Sequence, residues 1–450
     1  MLQLSNRPIR ISIFLFLLTS CMFLNAQDSI VKVHEFVILA QVRPEFEMRY
    51  GYHKPTISGL KPAALISQRN RIGLNYNYKQ LLSLRLIPQY IFIWGQDGLS
   101  QGKSTQNTFS LFEVWIKLQP TKAISFTIGR QVIALDDERF FGESDFGQSG
   151  RAHDALSFQF KQKKIDLRAF FAYNQNYKEL YGNSIGNTSG SLYTSKNATP
   201  YKWMQTAWAG VKFNDKNKMS FLFSNFGYQE AKSSSDSAKT HFSQTIGVNY
   251  FYADSLWSLN ASAYFQGGKN KDGVKTNAYL LAFLLNRRIG RKWNVGFGTD
   301  FLSGNAVGYA PKKSNHAFSP AYGTNHKFYG SMDYFFAGNA HKNTGLADIY
   351  AKVGFNPTKK SLITLAFHQF LSPNKMQDSS NRAYKRNLGQ EIDFGFKYQA
   401  YKFVKVSGAY SLYITTPSIL FLKDIPNARK VQHWLWLSLD VNLDIFKFRF

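Results

Sequence analysis

Apolar and polar residues alternate with a period of two along most of this chain. In one stretch Val42, Pro44, Phe46, Met48 and Tyr50 share one parity, and Arg43, Glu45, Glu47 and Arg49 share the other. A later one sets Ile72, Leu74, Tyr76 and Tyr78 against Arg69, Arg71, Asn75 and Asn77. A two-residue period is that of a β-strand with two chemically different faces. The pattern predicts strands over 36–50, 68–78, 82–94, 108–118, 123–132, 154–161, 164–175, 205–213, 218–227, 241–252, 256–266, 276–286, 292–302, 345–355, 361–370, 387–399, 402–413 and 431–450. Short polar turns join many of them, such as Asn214-Asp215-Lys216-Asn217 and Arg288-Ile289-Gly290-Arg291. Longer segments rich in Ser, Asn, Gly and Lys separate others, at 95–107, 133–153, 176–204, 228–240, 303–344, 371–386 and 414–430. The segment 303–344 has room for a plug or a further hairpin, since His326 to Phe336 also has strand-like content.

A soluble sandwich would show the same alternation, with one face buried and one solvated. Charges on strand after strand, with Trp and Tyr near many ends, fit a membrane barrel better. The expected fold is all-β: a transmembrane antiparallel β-barrel of outer-membrane type with about eighteen strands. Strands of about ten residues suffice to cross a bilayer when tilted. The last ten residues, Val441 to Phe450, alternate up to a terminal aromatic residue. Such an ending suits recognition by the barrel-insertion machinery.

Composition agrees. Aromatics make up 16% of the chain, with 40 Phe and 25 Tyr, while mean hydropathy is −0.30. Only alternate residues of a barrel strand meet lipid, so aromatics accumulate without raising the mean. At the front, Arg7 and Arg10 precede the apolar run Ile11 to Leu24, and Asn25-Ala26-Gln27 offers a small residue for cleavage. This reads as a secretory signal peptide over 1–26, followed by a single barrel domain over 27–450. Cleavage there leaves a mature chain without cysteine. In the competing reading Leu18-Thr19-Ser20-Cys21 is a lipobox that lipidates Cys21. The expected location is the outer membrane of a Gram-negative cell.

Net charge is +27, and removing Arg7 and Arg10 leaves +25 (27 − 2). This excess implies an acidic partner. Export past the inner membrane excludes nucleic acid and leaves anionic lipid or an anionic polymer. An Arg or Lys facing hydrocarbon at the midplane of a barrel wall costs about 2–4 kcal/mol. Parity therefore turns Arg43, Arg49, Arg69, Arg71, Arg85, Glu113, Lys117, Asp166, Arg168, Lys212, Asp348, Lys352, His368, Glu391, Asp393, Lys397 and Lys405 toward the lumen. Inward acids would pair with Arg and hold its rotamer. A ladder of guanidinium forks offers anions successive weak sites. The same residues would also serve as simple polar filling of a wide barrel.

Catalysis is not expected. Asp136, Asp137 and Glu138 are contiguous, so they do not flank a bond from two sides as glycosidase carboxylates do. The nine His have no metal-ligand spacing, and no Gly-rich phosphate loop is present. No cofactor and no metal follow from these residues.

Three elements, Gly129-Arg130-Gln131, Asp136-Asp137-Glu138-Arg139-Phe140-Phe141-Gly142 and Gly150-Arg151-Ala152-His153-Asp154-Ala155, together resemble the alginate-export family of outer-membrane barrels. Ala321 to Gly330, Asp333, Gly345 to Tyr350 and Gly389-Gln390-Glu391-Ile392-Asp393 look like that family's second half. The resemblance implies an electropositive pore passing an anionic exopolysaccharide outward, with a periplasmic export scaffold as a further partner. It adds Arg130, Arg139, Arg151 and Asp154 to the pore-lining set. Simple parity from Ile124, Phe126 and Ile128 puts Arg130 on the lipid side, so it must sit at the interface or follow a register-flipping bulge. The expected function is export of an alginate-like polymer. The alternatives are a general or small-anion uptake porin and, from another class, an outer-membrane enzyme or adhesin.

Overall fold

The computed structural model describes residues 33–95, 108–174, 201–229, 239–309, 313–335 and 342–450. The expected signal peptide, its cleavage site and Cys21 lie outside the described residues.

Eighteen strands form one sheet that closes on itself. They are β1 His34–Tyr50, β2 Ala63–Tyr78, β3 Leu82–Ile93, β4 Thr108–Leu118, β5 Ile124–Gln131, β6 His153–Gln162, β7 Ile165–Tyr173, β8 Trp203–Lys212 and β9 Asn217–Gln229. The second half adds β10 Thr240–Ala253, β11 Trp257–Gly268, β12 Ala278–Ile289, β13 Trp293–Leu302, β14 Leu346–Phe355, β15 Ser361–Leu371, β16 Asn387–Tyr401, β17 Val404–Thr415 and β18 Val431–Arg449. Sequence neighbours pair antiparallel, and β18 returns to β1 with Glu35 opposite Arg449 and Tyr50 opposite His433. Closure removes the unpaired edges that an open sheet would expose to lipid. Each expected strand is present. The largest change in boundary is at β2, which begins at Ala63 rather than 68.

The two ends of the barrel differ. Both chain ends of the barrel, His34 and Arg449, sit at the end with short turns. There Asn214 Oδ1 accepts from the backbone N–H of Lys216 and Asn217, both at 2.9 Å, and so closes the β8–β9 turn. Lys79 and Gln80 take the left-handed conformation in the β2–β3 turn. The other end carries the long loops. In barrels of this class short turns face the periplasm and long loops face outward.

Parity is realised in three dimensions. Ile72 is 64% exposed and Ile128 62%, while Arg69 is fully buried. The exposed apolar belt is the lipid face, and the buried core lies inside the barrel. Two loops contribute much of that core, and the β17–β18 loop adds Ile419 and Leu422. The β5–β6 loop brings Phe140 and Phe141 inward, where Phe140 meets Phe226 and Tyr264 at ring distances of 5.9 and 5.7 Å. The β13–β14 loop inserts Tyr334 against Tyr413 at 4.4 Å and Phe335 against Phe370 at 4.7 Å. Among its described residues this loop adds no barrel strand. It contains a 3-10 turn at Asn325–Lys327, and its strand-like residues up to Phe335 fold into the lumen as a plug.

Candidate pore-lining site

The inner wall at β1 to β3 is rich in arginine. The β1–β2 register sets Arg43 directly opposite Arg69, which is unfavourable for two like charges. The β5–β6 loop resolves the conflict. Asp145 accepts from Arg69 Nη1 at 2.8 Å and from Arg71 Nη1 at 3.2 Å. Arg43 donates to the carbonyls of Asp145, Phe146 and Gly147 at 2.7–3.0 Å. Gln148 Nε2 anchors the same stretch to Ser67 Oγ at 2.8 Å. Burial pushes the Asp145 carboxyl up, but Arg69, Arg43 and Arg71 outweigh it and hold its pKa below the usual aspartate range. Arg71 also lies 3.6 Å over the Phe112 ring.

A second stretch of wall, β13 to β16, is acidic. Asp300 of β13 faces Asp348 of β14 in register, and both are buried. Arg139, reaching across from the β5–β6 loop, bonds Asp300 and Asp137 at 2.8 Å each. Only 4% of Arg139 is exposed. Burial disfavours its charge, yet Asp300 and Asp137 more than compensate and raise its pKa above the ordinary guanidinium value. Asp348 is held by His368 Nδ1 at 3.0 Å, and His368 Nε2 lies 3.8 Å from Asp393. Glu391 Oε1 accepts the backbone N–H of Met332 at 2.8 Å and so seats the β13–β14 loop. Among the described residues, Asp300 Oδ1, Glu391 Oε2 and Asp393 Oδ1 are buried without a hydrogen-bond partner.

The remaining expected site residues form separate pairs. Arg49 bonds Glu47 at 2.6 Å, Arg85 bonds Glu113 at 2.7 Å, and Arg168 bonds Asp166 at 2.8 Å. Arg130 pairs with Asp154 at 3.1 Å. The β5–β6 register runs unbroken from Ile124 to Gln131, so no bulge flips Arg130. It keeps the outer-face parity of Ile128, near the loop end of the wall. Arg151 donates to the carbonyls of Tyr322 and Gly323 and so ties the two inward loops together. Lys117 and Arg168 line a small cavity of about 160 Å³.

A larger cavity of about 1150 Å³ opens toward the loop end. Glu45, Glu47, Arg49, His53, His326 and Asp333 lie on its surface. Asp333 accepts from Tyr52 at 2.7 Å, lies 3.1 Å from His326 Nδ1, and His326 stacks on Phe146 at 3.5 Å. Among the described residues no group of three or more His, Cys, Asp or Glu is placed to hold a metal ion. Sequence reasoning missed Asp145, Asp300 and Asp333. Asp145 and Asp333 lie in loops, where alternation is silent. Asp300 shares the inward parity of its strand and was within reach of the rule that selected Asp348.

No family model matches the chain, and no curated protein matches it. Solved structures do match. OpdL of Pseudomonas aeruginosa superposes with a TM-score of 0.59 at 11% identity, covering 91% of this chain and 99% of that one. OpdK of the same organism, solved with vanillate, gives 0.58 at 10% identity, covering 92% and 99%. OccAB1 of Acinetobacter baumannii gives 0.59 at 12% identity, covering 92% and 97%. Identities this low show a shared fold. That fold is the closed eighteen-stranded antiparallel barrel. The resemblance to the alginate-export family is overturned, because the structural neighbours are these Opd and Occ barrels. Alginate export falls with it. The physical reason lies in what the quoted elements do. Gly129 adopts a positive φ of 122°, Arg139 closes a buried ion pair, and Arg151 binds loop carbonyls. Together they fold a loop into a barrel, and barrels of different function can share that need.

Proposed function

We propose that this barrel is a passive uptake channel for small anionic solutes. The observation that carries the reading is the set of Arg43, Arg69 and Arg71 gathered on one inner wall around the carboxylate of Asp145, with Glu45 as the further acid beside Arg43. Three guanidinium groups against the carboxylates of Asp145 and Glu45 leave a net positive surplus where the loop narrows the lumen. Arg43 and Arg69 are themselves buried, so their charge acts on a solute through the field of the wall. Farther along, Arg85, Lys117 and Arg168 share the inward face, so an anion leaving the cluster finds further weak sites. The loop-end cavity of about 1150 Å³ is on the scale of sites that hold small molecules. The two inward loops favour such solutes over a polymer. OpdK, one of the similar barrels, was solved with vanillate, a small aromatic carboxylate. The test is reversal potential in planar bilayers under a salt gradient at low ionic strength. Anion selectivity that fades toward 1 M salt, where the Debye length is about 3 Å, is the expected result. A cation-selective or non-conducting barrel would end the reading.

A further inference from the structure

Much of the excess positive charge lies outside the lumen, at the end with short turns. The β12–β13 turn carries Arg291 and Lys292, the β14–β15 turn carries Lys359 and Lys360, and β12 approaches the first with Arg287 and Arg288. All six are exposed. Backbone bonds join these turns into one edge: Arg288 N–H donates to Leu256 O at 2.7 Å, and Asn356 N–H donates to Lys292 O at 2.8 Å. The nearby acid is already committed. Asp254 accepts from the backbone N–H of Leu256 and Trp257 at 2.8 and 2.7 Å and from Tyr252 at 2.7 Å. Elsewhere at this end cations do meet acids, as in Lys405–Asp440 and Lys447–Glu35. Among the described residues no ion pair neutralises the six.

Their height is set by the lipid face above them. Leu281, Phe283 and Phe297 are exposed on the outward parity of β12 and β13. Below them come the ring pair Trp293–Phe355 at 4.4 Å and Trp257. Such aromatics mark the boundary between hydrocarbon and headgroups. Arg287 shares the outward parity of Leu281 and Phe283, faces Trp257 in register, and lies 5.0 Å over its ring. A charged side chain on the lipid-facing parity at that depth reaches for the headgroup layer. In the periplasm-facing leaflet that layer is made of phosphodiesters, which the arginine fork grips two-pronged.

We propose that this edge, from Trp257 to Lys360, is a binding site for anionic phospholipid headgroups of the periplasm-facing leaflet. Arg287, braced on Trp257, and Arg291 grip the phosphate, and Lys292, Lys359 and Lys360 supply the attracting field.

The test compares wild type, R287Q/R291Q and K163Q/K164Q in nanodiscs of equal phosphatidylglycerol and phosphatidylcholine. Native mass spectrometry reads the lipids retained. Lys163 and Lys164, in the β6–β7 turn, remove the same charge elsewhere on the rim. The wild type should retain phosphatidylglycerol preferentially. R287Q/R291Q should lose that preference by about fivefold per arginine, while K163Q/K164Q should keep most of it. Equal losses in both variants would mean diffuse attraction and overturn the site, as would no loss in R287Q/R291Q. Should that variant fail to show the heat-dependent gel mobility of a folded barrel, the wild type decides alone. A preference unchanged by 1 M salt then overturns the proposal, and one abolished by it supports the proposal. Wild-type co-sedimentation with peptidoglycan that R287Q/R291Q abolishes, with lipid preference intact, would assign the edge to a different polymer and overturn it too. Channel conductance enters none of these measurements, so they stand apart from the uptake reading.

Discussion

The arginine wall and the acid wall line one lumen, and both arise from the same inward parity, yet they are stabilised differently. At β1 to β3 three cations are met by neutral backbone carbonyls, by Asp145 and by the neighbouring Glu45. Carbonyl dipoles satisfy donors without cancelling charge, so the wall stays positive. At β13 to β16, Asp300, Asp348 and Glu391 lie buried beneath loops and depend on Arg139, His368 and the backbone N–H of Met332. Buried acids of this kind tolerate little loss of partners. Both walls hold an inserted loop, but the first keeps a positive field on the lumen while the second has its acids neutralised by the loops they hold.

The sharpest way to break that contrast is Arg139→Leu. It leaves Asp137 and Asp300 buried without their cation, at a cost of about 3–5 kcal/mol. The temperature at which the folded gel band converts to the unfolded band should fall, and conductance should rise as the β5–β6 loop loosens. An unchanged transition would mean that the acid wall does not rely on this pair.

Asp145→Asn comes next. It removes a charge-assisted acceptor from Arg69 and Arg71, worth about 1.5–3 kcal/mol, and raises the positive surplus. Anion selectivity should increase while the barrel stays folded. Single-channel recording of a folded variant with weaker anion preference would contradict the assignment of this wall. The pH dependence has a defined sign. Because the folded Asp145 pKa is depressed by its arginines, its contribution is complete above the ordinary aspartate value of about 3.9 and is lost as pH falls through the lower folded value. The difference in anion selectivity between wild type and Asp145→Asn should therefore stay level from about pH 8 to pH 5 and close only in stronger acid.

Arg85→Gln should have the smallest effect. The Arg85–Glu113 pair is part-exposed, so its loss should cost no more than about 1 kcal/mol. A small decrease in anion preference, read from reversal potential at low salt, is expected without a change in heat resistance. A large loss of stability would place Arg85 with the buried network rather than with the solvated ladder.

Local alternation was enough to read the strands, their number and the inward turn of Arg69, Glu113, Asp348 and Glu391. A strand's two faces are decided by a two-residue period and by the cost of charge in lipid, both of which are written into adjacent residues. Arg130 keeps the outward parity of its strand and yet borders the loop-end cavity, which alternation alone did not reveal. What the inward residues touch was not legible. Asp145 reaches Arg69 across 76 residues, and Arg139 reaches Asp300 across 161. No periodicity encodes where a loop goes, because its destination is chosen by charge and shape on walls assembled from distant strands. The sequence by itself determined a barrel and its faces. Only the tertiary structure decided that the Arg139 element closes a plug against the acid wall and that three arginines share one loop carboxylate. Those contacts exist only after the barrel has brought both walls within reach of the same loop.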